Sequence, residues 1–370
     1  MYIENKLVKD PVKSTFDDLK LFEQNNYCFR YLKDNNPDTE ESKLLYHSEI
    51  ASSSFRQAYE YYKSASVASI NTSPLLYSYA LNNLLKGVCY LKSFDKDILD
   101  GFNSHGFKLE RKHLKEDALN SKVTFMKYHG AVHSLLKLYD NDLSAPQDIP
   151  LYKLLRHIPN LGGFYYEAVG SISLIATKNK REYDELIFNG SNINEETKSI
   201  LNGFAMMISP IPQRDVCSGY LTVKTNKLIK DNIFDLNNIF YKNYINIPEE
   251  YDEGLKSINV SFYCYLLIMS YGMLVRYDAN IWEKYVDKKN SRYSTLIELS
   301  INNSVLNFYF QMHNLLFGFY YEDDSYTELD IKQIINDSTR DIMNNITKKI
   351  KTDNLRFNEH NYLPWKENIR

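Results

Sequence analysis

The sequence predicts a mainly α-helical fold, a helical bundle of two packed halves with a small β or irregular insertion in the middle. Three observations carry that reading. Phe55, Ala58, Tyr59, Tyr62 and Ala65 recur at three- and four-residue spacing, the mark of one buried helix face. LLYSYALNNLLKGVCYL (75–91) and the run from Val260 to Val275 are apolar with almost no charge, as helices buried on most sides are. Between these blocks, residues 182–250 mix short alternating segments such as Tyr220–Val223 with loops around Pro210, Pro212 and Pro248, a pattern for short strands.

In chain order, a helical stretch over Thr15–Asp34 turns Phe16, Leu19, Phe22 and Tyr27 toward a core, and DNNPDTEES (34–42) reads as an exposed loop. Helical signals strengthen from His47, with Ser52, Ser53 and Ser54 available as caps. A second helix follows Thr72-Ser73-Pro74, a cap and then Pro in the first turn. These two helices are expected to form an antiparallel hairpin at the heart of the fold. Gly101 and Gly106 bracket a polar loop, residues 121–139 read as a strand followed by a helix, and PLYKLLRHIPNL (150–161) as a short helix ended by Pro159. A second helical block is expected from about Pro248 to Tyr321, then a charged helix from Asp330 to Lys351 and an extended tail after Thr352. The expected organisation is an N-terminal helical half (1–180), a mixed insertion or junction (181–250), and a C-terminal helical half with its tail (251–370).

A chain of 370 residues exceeds the roughly 100–200 residues of one typical domain. Its 44% hydrophobic and 25% charged residues are ordinary globular composition. A net charge of −3 gives no global pull toward nucleic acid or acidic membrane, although 44 Lys and Arg leave room for a local basic patch. The 31 tyrosines, beside many Asn, Lys and Ile, read as coding bias rather than as ligand contacts. Cys28, Cys89, Cys217 and Cys264 lie far apart with no CxxC pair, which predicts reduced, buried thiols. The N-terminal MYIENKLVKDPVKS lacks the apolar core of a signal peptide. The Val260–Val275 run is shorter than the ~20 residues of a membrane span and contains Ser261, Tyr263, Ser270 and Tyr271. A buried helix and a cytoplasmic protein without a membrane partner are therefore expected.

No P-loop, GxGxxG or GxSxG is present and Gly is scarce at 13 residues, which speaks against a phosphate-cradling loop and a nucleotide cofactor. HGAVH sets His129 and His133 on one helix face, but no Glu follows His129 and no third ligand is evident, so the pair reads as structural and no metal is expected. Asn82, Asn83 and Lys86 interrupt an otherwise apolar helix and must find partners, since unsatisfied burial costs about 1–3 kcal/mol per group. Arg276, closing the most apolar helix, can snorkel to the surface, pair with a buried carboxylate, or reach into a cleft. Ser104, His105, Lys108, Arg111, Lys112 and His113 form either a solvated loop or a small basic surface that meets phosphate.

SSFRQAYEYYKSA (53–65), SPLLYSYALNNLLKG (73–87) and SHGFKLERK (104–112) resemble three consecutive motifs of the YaaC-like family of bacterial proteins. HIPNL (157–161) and SFYCYLLIMSYGMLVRYDANIW (261–282) resemble two more, in the same order. The helix followed by "HG", and the late "RY…W" helix, also resemble the broader HEPN-like group of abortive-infection, toxin and CRISPR-associated proteins. The resemblance implies a helical bundle and a place in bacterial stress or anti-phage defence. HEPN ribonucleases carry Arg-x(4–6)-His, and no Arg here has a His at that spacing; Arg356 and His360, with three residues between, come nearest.

The reading is therefore a binding or assembly module working through a cleft between the two halves. Tyr79, Asn82, Asn83 and Lys86 would floor the cleft, His105 and Arg276 would stand at its rim, and Lys112 and Tyr277 would add contacts. A protein partner or homo-oligomer is expected, with RNA as another possible ligand. The alternative is a metal-independent ribonuclease, with His105 as acid or base and Arg111 or Arg276 stabilising charge on phosphate.

Overall fold

The computed structural model describes residues 4–110, 118–125, 130–139, 148–178, 185–189, 194–203, 207–211, 220–224, 234–235, 244–246, 259–288 and 291–323. By its internal packing the chain divides into Met1–Glu322 and Asp323–Arg370, and the second unit lies outside the described residues except for Asp323. The expected helix over Asp330–Lys351 and the tail after Thr352 fall there.

The described helices are α1 (Pro11–Leu21), α2 (Asn25–Asn35), α3 (Glu41–Val67), α4 (Ser73–Lys92), α5 (Lys96–Leu99), α6 (Gly130–Leu138), α7 (Leu151–Leu155), α8 (Gly162–Val169), α9 (Glu195–Gly203), α10 (Val260–Tyr277), α11 (Ala279–Val286) and α12 (Ser294–Phe317). The strands are β1 (Glu4–Val8), β2 (Phe107–Leu109), β3 (Lys122–Phe125), β4 (Asp148–Pro150), β5 (Ile175–Lys178), β6 (Glu185–Asn189), β7 (Met207–Ile211), β8 (Tyr220–Lys224), β9 (Phe234–Asp235), β10 (Tyr244–Asn246) and β11 (Phe319–Asp323). The fold is thus mainly helical, as the sequence predicts.

Four long helices make the core. The five-residue link between α3 and α4 forces them antiparallel: Tyr61 meets Tyr79 with ring centroids 5.3 Å apart, and further along Phe55 lies against Gly87. That glycine is required, because a Cβ there would fall 2.7 Å from the Phe55 ring. α10 runs antiparallel to α4, with Gly272 against Ser78 at one end and the Tyr265 hydroxyl on Asn82 further down. α12 runs back along α10 through Tyr271–Ser300 and Tyr265–Phe308, and its Tyr309 hydroxyl donates to the Ala58 carbonyl of α3. α10 is long and apolar enough to cross a membrane by length and composition, and 78% of it is buried inside the fold. Cys28, Cys89 and Cys264 are free, buried thiols.

Several boundaries differ from the sequence reading. The helical stretch over 15–34 is two helices, broken at 22–24 where Phe22 is fully buried and accepts a hydrogen bond from the Cys28 thiol. α3 begins at Glu41, so Ser52, Ser53 and Ser54 lie inside the helix and do not cap it; the Ser52 hydroxyl donates back to the Glu49 carbonyl. Thr72 stands at the start of α4, with Pro in the first turn, but its side chain makes no capping bond. The β content is larger than one small element. β7-β8-β6-β5-β10-β9 form a six-stranded antiparallel sheet, β2-β3-β4 a three-stranded one, and β1 pairs with β11. Pro210 lies within β7 opposite Leu221, tolerated because β7 is an edge strand.

Candidate functional site

The SHG segment is held in place by glycines. Gly106 and Gly130 both take positive φ, 77° and 80°, conformations costly to side-chain-bearing residues. They also touch: a Cβ on Gly130 would lie 2.1 Å from the Gly106 Cα. This approach lets the Ser104 and His105 carbonyls accept from the Ala131 and Val132 N–H groups at 3.0 and 3.3 Å, satisfying free donors at the start of α6. The preceding turn is fixed similarly, since Gly101 leaves room for Ser134, whose hydroxyl donates to the Ile98 carbonyl at 2.6 Å. α6 in turn packs on α4 and α10.

The consequence is a corner in which His105 stands within electrostatic range of Arg276, in the last turn of α10. The His105 pKa lies below its ordinary value, through burial first and then the Arg276 guanidinium. His105 keeps an exposed surface, so partial screening by water weakens the burial contribution, and the arginine's charge is the more telling observation. Arg276 is itself exposed and makes no ion pair among the described residues. Its guanidinium lies 5.1 Å from the centroid of the Tyr277 ring, and Tyr277 is 53% exposed. A histidine held below its ordinary pKa near a cation with no ion-pair partner among the described residues is an arrangement that an anion completes: the anion offsets the guanidinium and favours the protonated histidine.

The other expected residues divide. Tyr79, Asn82, Asn83 and Lys86 are all half-buried on α4. The Asn82 side-chain oxygen accepts from the buried Tyr265 hydroxyl at 2.8 Å, which commits it to the α4–α10 interface. The Asn83 amide donates back to the Tyr79 carbonyl at 2.9 Å. Arg111 and Lys112 lie outside the described residues, as do His113 and His129. His133 is buried within α6, and no group of three or more His, Cys, Asp or Glu that could hold a metal occurs among the described residues.

The sequence reading did not single out Arg156, which closes α7 and is only 1% exposed. It donates to Glu196 Oε2 at 3.3 Å, and the same carboxylate takes Lys153 at 2.5 Å, tying α7 to the first turn of α9. The adjacent His157 is fully buried and stacks on Tyr263 of α10 with centroids 4.0 Å apart. A charged residue directly before the HIPNL motif was the available signal.

No curated protein and no solved structure matches the chain. The family described as YaaC-like Protein matches residues 20–316, from the end of α1 to the last turn of α12, and the chain belongs to that family.

Proposed function

We propose that this chain is a binding module of bacterial stress or anti-phage defence, and that its working surface is the His105–Arg276 corner, where it takes phosphate groups of RNA. The observation that supports the reading is that exposed His105 feels the charge of an Arg276 that has no carboxylate partner among the described residues. Arginine forks onto phosphate oxygens, and a histidine beside it gains its proton as the anion arrives. The test is retention of a single-stranded RNA by the purified chain in chelator. Arg276→Ala is expected to weaken retention roughly tenfold, equivalent to about 1.4 kcal/mol, and to reduce the salt dependence by about one phosphate contact. Unchanged retention in Arg276→Ala and His105→Ala ends the reading. No retention by the wild type would favour protein assembly instead.

A second reading, metal-independent RNA cleavage, draws on the same pair. A histidine held neutral is ready to accept a proton, and an adjacent guanidinium can stabilise a phosphorane. Cleavage in chelator that disappears in both variants, with folding intact, selects this reading over simple binding.

A further inference from the structure

Alone among the tyrosines of α10, Tyr277 is exposed. Tyr263, Tyr265 and Tyr271 are buried, and the hydroxyls of Tyr265 and Tyr271 meet Asn82 and Ser300 across the core. Tyr277 closes the helix, its ring 53% open to solvent and the Arg276 guanidinium 5.1 Å from its centroid. That separation lies within the ~6 Å at which a cation is drawn to an aromatic face. The backbone around the ring is anchored. The Asp278 N–H donates to the Leu274 carbonyl to end α10, and α11 begins at the next residue. Trp282 of α11 is buried against Tyr271, and its Nε1 donates to the Ile70 carbonyl at 3.0 Å. A large aromatic ring is thus kept in water on a fixed corner, beside a cation with no ion-pair partner among the described residues. Ring surface left in water adds nothing to the hydrophobic stabilisation of the fold. An aromatic platform next to a guanidinium does match the two parts of a nucleotide, its base and its phosphate.

Resting on the reading of this corner as a phosphate site, we propose that its ligand is single-stranded rather than duplex RNA, with one base stacked on Tyr277 and the adjoining phosphate on Arg276. The base covers the exposed part of the ring and the phosphate meets the guanidinium beside it. In a duplex the base faces are covered by their neighbours, whereas single strands and loops can splay a base onto an aromatic side chain. Every base has such a face, so the contact selects for strandedness and tolerates sequence.

Fluorescence anisotropy of labelled RNA with the full chain tests the proposal, in chelator and at one salt concentration. The probes are a mixed-sequence single strand, its duplex with the complement, and an abasic strand of the same length and charge. The wild type is expected to bind the single strand about tenfold tighter than either comparison, the scale of one stacked base. Tyr277→Ala should remove that preference and Tyr277→Phe should keep it, since the ring and not the hydroxyl makes the platform. Both substitutions fall at an exposed position, and unchanged melting temperatures show that the variants fold. Equal affinity for the single strand and either comparison, or a preference that survives in Tyr277→Ala, overturns the stacked base. The phosphate reading still stands in that case if Arg276→Ala weakens all three probes. No binding of any probe by the wild type overturns both.

Discussion

Gly130 carries two constraints at once, a φ of 80° and a backbone neighbour where a Cβ would stand. Gly130→Ala is therefore expected to cost about 2–4 kcal/mol, adding left-handed strain to overpacking, read as a lower urea midpoint together with loss of the His105–Arg276 interaction. Gly163 is the internal control. It lies within α8, and a Cβ added there would meet nothing within 4 Å, so Gly163→Ala should stabilise by up to about 1 kcal/mol. The histidine offers a second test. Replacing Arg276 by Met removes one of the two causes that hold His105 below its ordinary pKa, so its NMR titration should move upward. If the corner binds phosphate, RNA retention by the wild type should tighten as the pH falls through the histidine range, and His105→Ala should abolish that pH dependence. The SHG segment stands out in the sequence as a motif. The reason for Gly130 does not, because the atoms that a Cβ there would strike belong to His105 and Gly106, remote in the chain.

The helices of the core were legible because each carries its own evidence. The spacing of Phe55, Ala58 and Tyr62 and the uncharged run of α4 predict an antiparallel hairpin, and the structure contains it. The strand-then-helix reading of 121–139 corresponds to β3 and α6, and the alternation at Tyr220–Val223 to β8. The rest of the six-stranded sheet was not legible, since strands such as β9 and β10, of two and three residues, are too short to establish a period. Asn82 was recognisable as a polar residue needing a partner, but that Tyr265 supplies it depends on how α10 lies across α4. Tyr265→Phe tests this pairing. It removes the donor and leaves the half-buried amide oxygen unmatched, at an expected cost of about 1 kcal/mol, measured by urea unfolding. Asn82→Leu on the same background should recover part of that loss if the bond is the cause.

The titrating groups of the whole molecule bound the pH range in which it is stable. His47 is lowered chiefly by burial, against a hydrogen bond to the Tyr90 carbonyl, and His105 by burial and Arg276. A histidine with a depressed folded pKa binds fewer protons folded than unfolded, so stability falls as the pH drops below ~6.5, the unfolded value. At the alkaline end, burial raises Tyr31 and Tyr77 to about 12. The unfolded chain then releases protons first, and stability falls as the pH rises above ~10. Urea midpoints should accordingly form a plateau between these limits and decline at pH 5.5 and at pH 10.5; a midpoint that rises on acidification would contradict the histidine contribution.

The placement of α10 and α12 in the middle of the core also has a consequence during synthesis. The α3–α4 hairpin leaves the ribosome some 170 residues before α10 begins, and at ~5–20 residues per second it waits on the order of ten to thirty seconds for its partner helices. Throughout that interval the stretch of α4 that α10 covers, around Ser78 and Asn82, has no α10 to lie against and is open to solvent or a chaperone. Nascent chains stalled before residue 260 should therefore be captured by trigger-type holdases and cleaved readily by protease, whereas chains stalled well past residue 320 should resist both.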